Sequence, residues 1–306
     1  MSSAFGKVSE GALAFEEKLR DTARSFTSYG SEYEPSGAMA FLQSNTMVAK
    51  FAFLILILFA FIFILRVGTA LLAWLFSPSS TPVLVKGMRD GKQLLIIPQD
   101  PNQNNSIPIL RSNNQRDGIE FTWSVWLWIN DLTYLDGQYR HIFHKGNDQI
   151  NFGTDGQAGL NYPNNAPGLY ISPNKNALVI IMNSFNKINE QIVIDDIPVK
   201  KWVNVVIRCE GRNVDVYING VLTRRHILDS VPKQNYGDVY VSMNGGFDGY
   251  ISQLQYFNYA LGVSKLQSII RDGPNMKMET TDLNEARPPY LSTRWYFTGV
   301  KDAYNP

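Results

Sequence analysis

The sequence contains little of what cross-links small domains or holds metal ions. Cys209 is its single cysteine, and it has three histidines in 306 residues. One cysteine excludes a disulfide within the chain, although domains that face oxidising compartments often contain disulfides. Two interpretations follow: the main domain lies in a reducing compartment, or its core is large enough to be stable without a disulfide.

An excess of charge of one sign is also missing. The chain has 28 basic and 27 acidic residues, which give a formal net charge of +1. Such a balance provides no positive field that would draw a protein to nucleic acid. We therefore expect no nucleic-acid partner.

The few histidine and cysteine residues do not form a recognisable reaction centre. His141 and His144 are three residues apart, His226 is remote in sequence, and no cysteine lies near them. A zinc site needs three or four ligands, so this pattern argues against zinc. Cys209 follows a valine-rich segment, which is typical of a buried apolar cysteine rather than of a nucleophile beside a base.

One long apolar run is present. Phe51–Phe76 contains a single charged residue, Arg66, and Lys50 precedes it. About 20 apolar residues are enough for a helix to cross the hydrocarbon core of a membrane. The sequence therefore predicts a transmembrane helix within residues 47–76, with the lipid bilayer as a partner. No small-residue cleavage site follows the run, which is too long for a signal peptide, so we expect a retained anchor.

The predicted anchor residues are spread along this run; they are Phe51, Leu56, Phe61, Leu65, Arg66 and Trp74. The uncharged stretch before Arg66 would rise about 22 Å as a helix, so we expect the helix to continue past it. Arg66 is expected to extend its charge towards the interface, and Trp74 to lie among the headgroups. A functional arginine within the membrane is the alternative. Basic residues flank the span on both sides, so they do not predict its orientation.

Residues 1–46 are predicted to form a polar tail that contains one amphipathic helix. Its apolar residues include Phe15, Leu19 and Phe26, and they recur every three or four positions, as in a helix. The other face carries charges of both signs, unlike the basic face of a lipid-binding helix. We expect Phe15, Leu19 and Phe26 to face a protein partner; a solvated helix and a membrane-surface helix are the alternatives.

From Val83 onwards the apolar pattern changes to the alternation of β-strands. We predict a linker at residues 77–82, an antiparallel β-sandwich at 83–275 and a C-terminal extension at 276–306. The aromatic residues of the extension are expected to pack on the sandwich as a last strand, with a partner-binding tail as the alternative. Phe121–Ile129 has bulky residues at alternate positions on both faces, which predicts a central strand that is covered on each side.

Turn signals and one helical pattern divide this region further. Arg89–Lys92 is predicted to join its flanking strands, Val83–Met88 and Gln93–Ile97, in one hairpin. Asn219-Gly220 is a two-residue turn signal, because both residues tolerate positive φ. Val263–Arg271 has helical periodicity, and Gly-Pro follows it, which predicts a short helix that ends there.

The ordered motifs of this region resemble a known family. They run FTWSVWLWI, HIFHKG, GLYISPNKNALVIIM, IPVKKWVNVVIRCEGRNVDVYINGVL and FDGYISQLQYFNYAL. Together they resemble the laminin-G-like group of the concanavalin A-like lectin/glucanase superfamily. The positions that carry the resemblance, and are expected to define the fold, are Trp126, Gly146, Trp202, Tyr217, Asn219, Gly220 and Gly249. The resemblance implies a mainly β fold, an antiparallel concanavalin A-like jelly roll of two packed sheets, after the transmembrane helix and the amphipathic N-terminal helix.

A finer resemblance concerns the run RSNNQRDGIEFTWSVWLWI and the ending LQYFNYAL…IIRDGPN. Both are similar to versions of this domain in large DNA viruses of algae and protists, where a single membrane span often accompanies it. The resemblance implies a non-enzymatic minor capsid or virion membrane protein, single-pass in the inner membrane beneath the capsid, that links membrane to capsid through other structural proteins. A surface lectin or adhesion protein that binds carbohydrate is the alternative, and an unusual glycosidase is a third.

Residues that could match the catalytic and metal-binding positions of the superfamily are few in this sequence. Its glycosidases place acidic residues at alternate positions on one strand, so that two carboxylates face one sugar bond. No such run exists here; Asp195 and Asp196 are adjacent. Laminin-G-like domains often bind calcium at a loop rim, and Asp148, Asp155 and Asp248 lie in predicted loops where solvated turn residues are the alternative. We expect no enzyme activity and no cofactor; calcium is the alternative, with these three residues as its candidate ligands.

Overall fold

A computed structural model describes residues 47–75, 77–112, 118–151 and 157–279. The chain divides between Ser77 and Pro78 into two units. The predicted partner-facing residues Phe15, Leu19 and Phe26 lie outside the described residues. So do Asp155 and the aromatic residues of the C-terminal extension.

The first unit contains helix α1, Met47–Leu75. Its 29 residues would rise about 43 Å at 1.5 Å per residue. The helix continues past Arg66 without interruption, and Trp74 lies in its last turn. Nearly all its large apolar side chains are exposed, on every side of the helix. A helix that is apolar all round and unburied is typical of a lipid-facing segment, and α1 is long and apolar enough to cross a membrane.

The regular structure in the described part of the second unit is almost entirely β-strand. In chain order they are β1 Val83–Asp90, β2 Leu95–Ile97, β3 Glu120–Asp131, β4 Arg140–Gly146, β5 Asn165–Ile171, β6 Ala177–Met182, β7 Glu190–Asp195, β8 Trp202–Glu210, β9 Asn213–Ile218, β10 Val221–Ile227, β11 Asp238–Val241 and β12 Asp248–Phe257. A helix, α2 Val263–Asp272, follows the last of them.

These strands form two antiparallel sheets. Sheet I has the order β1-β12-β3-β8-β9-β10, and sheet II has the order β2-β11-β4-β5-β6-β7. The main core lies between the sheets and consists of buried aliphatic and aromatic side chains from both. The predicted fold class, an antiparallel β-sandwich, is confirmed.

The central strand β3 is covered on both faces, as its composition predicted. It pairs with β12 on one side and with β8 on the other. The core takes one face, with Trp123 and Leu127 among its members. Over the opposite face of sheet I, Leu266 of α2 packs against Val206 and Phe257. Both faces of β3 are therefore buried, and bulky residues fit on each.

The predicted hairpin around Arg89–Lys92 is wrong. β1 pairs with β12 in sheet I, whereas β2 pairs with β11 in sheet II. Gly91 donates a hydrogen bond to Gly249 O (2.8 Å) and accepts one from Phe247 N (3.0 Å). These bonds hold the turn as a corner at which the chain passes from one sheet to the other. An Asp-Gly turn signal marks a change of direction but does not show whether both strands join the same sheet.

The other turn and helix predictions agree with the structure. Asn219 and Gly220 have φ values of 49° and 79°, and they join β9 to β10 as an antiparallel pair. α2 ends at Gly273, whose φ is 71° and whose N–H reaches Ile269 O. Beyond it, Met278 forms an isolated parallel bridge with Met88 at the edge of sheet I.

The family-motif residues occupy positions with little free space. A Cβ on Gly146 would lie 2.0 Å from Asn164 O. A Cβ on Gly249 would lie 1.9 Å from Trp128 O, and its φ is 154°. Trp202 packs against Trp128, with the ring centroids 5.9 Å apart.

Candidate functional site

A cleft opens between the two sheets at one end of the sandwich, and we call it the end cleft. Sheet I contributes Phe121 and Trp123 from the start of β3 and Tyr256 from the end of β12. Sheet II contributes Ala166 from β5 and Met182 from β6. Its volume is about 490 Å³, within the range of small-molecule sites. The end cleft is therefore a binding-site candidate by size and by its largely apolar wall.

Aromatic contacts fix the floor of the end cleft. Trp123 stacks on Phe143 with centroids 5.2 Å apart and meets the edge of Tyr256 at 5.1 Å. The Tyr256 hydroxyl donates to Leu110 O at 3.0 Å, which ties the loop before β3 across the cleft. Trp123 and Tyr256 are both almost fully buried. The floor is thus a rigid aromatic surface and not a mobile one.

Lys145 is the most unusual residue of the end cleft. It lies near the end of β4 with 8% of its surface exposed. Its Nζ donates to Gly237 O at 2.5 Å. Burial lowers the pKa of the Lys145 ammonium to about 8, an effect that the Asp238 carboxylate opposes. Within the described ranges Lys145 takes part in no ion pair, so this cation is buried without a carboxylate partner.

The mouth of the end cleft carries further positive charge. Arg111 and Lys233 both line it and are exposed. The Arg111 guanidinium lies 4.6 Å from the Tyr236 ring centroid, at cation–π distance. Asp100 is the one acidic residue among the described residues of the lining. Three basic groups against one carboxylate favour anions over cations here.

A second hollow, which we call the outer groove, lies on the outer face of sheet I beside α2. Its volume is about 300 Å³, and its lining includes Trp126, Gln253, Gln255 and Lys265. β12 has an irregularity in its pairing with β3 between Ser252 and Gln255, and Gln253 has a φ of 47°. Bulges of this kind redirect side chains next to sites. Trp126 Nε1 is buried and has no hydrogen-bond partner in the described chain.

Two of the three predicted calcium residues, Asp148 and Asp248, lie among the described residues. Asp248 accepts a hydrogen bond from Asn130 Nδ2 at 2.8 Å and forms an ion pair with Lys92. Asp148 is exposed in the loop after β4. In the part of the chain that the structure describes, no group of three or more histidine, cysteine or acidic residues can hold a metal ion. Calcium binding stays a prediction, with Asp155 outside the described residues.

The two neighbouring histidines form a closed hydrogen-bond chain. Met243 N donates to His141 Nδ1 (3.0 Å), which requires His141 to carry its proton on Nε2. His141 Nε2 then donates to His144 Nδ1 (2.6 Å), and His144 Nε2 donates to Asn147 O (2.8 Å). Burial lowers the pKa of His144 to about 4 and that of His141 well below its usual value. Both rings are neutral, and the pair is a structural element of sheet II.

Sequence reasoning did not identify the end cleft. Its lining comes from segments that are far apart in the chain, and alternation patterns give no information about which distant segments meet. One local signal was available: Lys145 is the second-last residue of β4, a strand whose residues are all buried. In the sequence analysis Lys145 appears only within the family motif HIFHKG. Cys209 is buried as predicted, and burial raises the pKa of its thiol to about 12, which leaves it protonated and unreactive.

Comparisons with known proteins show which solved structures and which protein family this chain is similar to. Solved structures similar to the chain include the receptor-binding domain of botulinum neurotoxin D, with 15% identity and a TM-score of 0.40 over 60% of this chain and 48% of that one. The binding domain of botulinum neurotoxin serotype G has 14% identity and a TM-score of 0.40 over 60% and 46%. The chain spans just under half the length of these two structures. A comparison with curated proteins gives no match.

The family model described as the concanavalin A-like lectin/glucanases superfamily, in its laminin G form, matches residues 102–267. The match covers more than half of the chain and includes β3 to β12, both walls of the end cleft and the start of α2. It agrees with the two antiparallel sheets and with the motif positions described above. This chain belongs to the concanavalin A-like lectin/glucanases superfamily.

Proposed function

We propose that this chain is a single-span membrane protein that acts by binding a ligand and not by catalysis. The observation that carries the proposal is the end cleft, which combines an aromatic floor, three basic groups and one carboxylate, Asp100. Hydrolysis of a glycosidic bond needs two carboxylates roughly 5–10 Å apart. The described lining of the end cleft supplies one, so its chemistry supports recognition.

The proposal is tested with the full-length chain in lipid nanodiscs. Native mass spectrometry would screen lipids, organic anions and oligosaccharides for saturable binding, and the same mixtures would be analysed for turnover. We expect a ligand that binds, is released unchanged, and fails to bind Ala166→Phe, which fills the floor. Turnover of a ligand, or binding that Ala166→Phe leaves intact, would contradict the proposal. The unfolding midpoint of the variant shows whether it still folds.

The membrane part of the proposal is supported by α1. Its length and apolar surface fit a single span, and Arg66 lies where a long side chain can reach the interface. Protease protection of each chain end in sealed membrane vesicles would test it. A single span predicts that one end is protected and the other is cleaved. Cleavage of both ends in sealed vesicles would contradict a single span.

The finer proposal is that the chain is a minor capsid or virion membrane protein that links an inner membrane to a capsid. It is supported by the resemblance of the sandwich motifs to viral versions and by the membrane anchor. Proteomics of purified virions, followed by cross-linking, tests it. We expect the chain in particles, with cross-links to capsid protein. Its absence from purified particles would contradict this context.

A second candidate function, carbohydrate binding, is favoured by the outer groove. There Trp126 and two amide side chains, Gln253 and Gln255, line one hollow. Aromatic surfaces and amide hydrogen bonds are suited to a polyhydroxylated ring. A glycan array with and without calcium tests this function, with Gln253→Ala and Gln255→Ala as matched variants. A blank array under both conditions would contradict it.

A further inference from the structure

The end cleft contains a buried cation that lacks an anion. The Lys145 ammonium has three N–H donors, and Gly237 O is the one acceptor found for it in the described chain. The Asp238 carboxylate acts on the Lys145 ammonium electrostatically, but the two form no ion pair in the described chain. Asp238 Oδ1 instead accepts a hydrogen bond from Gln99 N at 2.8 Å. A buried charge is unfavourable unless it is paired. A ligand with an anionic group would supply the missing partner.

The floor beneath this cation is apolar. Phe121, Trp123, Ala166 and Met182 line it and are each at least nine-tenths buried. Their side chains offer one donor, the Trp123 indole N–H, and only a weak acceptor, the Met182 thioether. The Tyr256 hydroxyl beside them already donates to Leu110 O. A sugar in this position would leave most of its hydroxyls unpaired. The floor is suited instead to a hydrocarbon body, for which burial is favourable.

The mouth of the end cleft supports the same ligand class. Arg111 and Lys233 are exposed at its edge, where they attract anions as they approach. Lys145 lies inside and would hold the charged head after entry. The charges are therefore arranged in sequence, from the solvent to the buried site.

We propose that the end cleft binds an organic carboxylate with an apolar body, with the carboxylate on Lys145 and the body on the Trp123 floor. This inference rests on the proposed function, because it names the ligand class of the same cleft. Binding would place a carboxylate beside the ammonium and complete its hydrogen bonds. It would also exclude water from the apolar floor.

The test uses the full-length chain in nanodiscs and matched pairs of probes. Octanoate and 4-phenylbutyrate would each be titrated against the corresponding neutral amide. We expect each carboxylate to bind at least about tenfold more tightly than its amide. Lys145→Met should lose that preference while it keeps the affinity for the amide. Lys233→Met, at the exposed mouth, should retain most of the preference.

The outcomes separate this inference from the proposed function. Lys145→Met removes a buried charge and keeps a similar side-chain length, but it leaves Gly237 O without its donor. Its unfolding midpoint shows whether the variant still folds. Equal affinity for carboxylate and amide, or an unchanged preference in Lys145→Met, would overturn the inference. A third outcome is that neither probe binds, whereas another ligand binds the wild type and not Ala166→Phe. In that case the inference fails and the proposed function stands. If no ligand occupies the cleft, both fail.

Discussion

At the scale of single residues, the buried histidine pair links the stability of the sandwich to pH. Each ring accepts a hydrogen bond at Nδ1, so a proton added to either nitrogen would place two donors against each other. The rings are fully or almost fully buried. Protonation is therefore coupled to opening of this part of sheet II.

We expect the free energy of unfolding to fall as the pH drops from about 6.5 towards 4. The unfolded histidines bind protons with a pKa near 6.5, whereas burial holds the pKa of folded His144 at about 4 and that of His141 well below its usual value. The unfolded state thus binds more protons in this window. Within this window the free energy of unfolding falls by about 1.4 kcal/mol per pH unit for each histidine.

Denaturant unfolding of the full-length chain at pH 7 and pH 5 checks this expectation. Variants that replace His141 or His144 by asparagine should have a smaller difference between the two pH values. His226→Asn, on strand β10 outside the pair, serves as the control. If the free energy of unfolding depended on pH equally in the wild type and in both pair variants, the histidine pair would not be the source of the pH dependence.

Gly249 gives a second prediction at this scale. Its φ of 154° and the contact of its Cβ position with Trp128 O at 1.9 Å leave no room for a side chain. We expect Gly249→Ala to lower the free energy of unfolding by more than about 1 kcal/mol. Gly137→Ala is the matched control, because Gly137 also has positive φ but nothing within 4 Å. Equal losses in the two variants would show that the close contact is unimportant.

At the scale of elements, α2 covers the outer face of sheet I through one buried side chain. Leu266 is 2% exposed and packs against Val206, Phe257 and Leu261. The same helix forms one side of the outer groove through Lys265 and Ile269. Packing of α2 therefore shapes the groove as well as stabilising the sheet.

Leu266→Ala should destabilise the chain by about 2–5 kcal/mol, the usual range for a buried leucine. Val263→Ala, at the exposed start of α2, should change stability by less than about 0.5 kcal/mol. Denaturant unfolding of both variants measures the difference. If Leu266→Ala matched Val263→Ala, α2 would not be packed on sheet I as described.

The elements also show which part of the fold a single sequence can predict. The alternating pattern of Phe121–Ile129 located β3 well, because alternation follows from the backbone geometry of a strand. The partners of β1 and β2 were assigned wrongly, because β12 and β11 lie far along the chain and local pattern does not encode them. The end cleft was missed for the same reason: Trp123, Lys145 and Tyr256 meet only when the sheets pack.

At the scale of the whole molecule, the chain combines an apolar helix with a sandwich of the lectin/glucanases superfamily. The sandwich has an apolar cleft with unpaired positive charge, and α1 has the length and composition of a span. An anchored domain of this kind would act at a membrane surface. Its ligand would reach it from the aqueous phase or from the bilayer.

The assignment of α1 as a membrane span can be tested by introducing a charged residue into the helix. Phe61→Arg places a third charge within α1, in addition to Lys50 and Arg66, and an arginine near the middle of the membrane costs about 2.5–3.5 kcal/mol on insertion scales. We expect reduced membrane integration, measured by alkaline carbonate extraction. Arg66→Leu removes a charge and should integrate at least as well as the wild type. Full integration of Phe61→Arg would contradict the assignment of α1 as the span.

The proposal that the end cleft binds a ligand is tested most directly by measuring whether the cleft is occupied in the protein taken from its own membrane. Native mass spectrometry would compare the wild-type full-length chain with Ala166→Phe, both purified identically and both shown to be folded. We expect a bound small molecule on the wild type that is absent from Ala166→Phe. The same bound mass on both proteins, or none on either after incubation with lipids, organic anions and oligosaccharides, would contradict it.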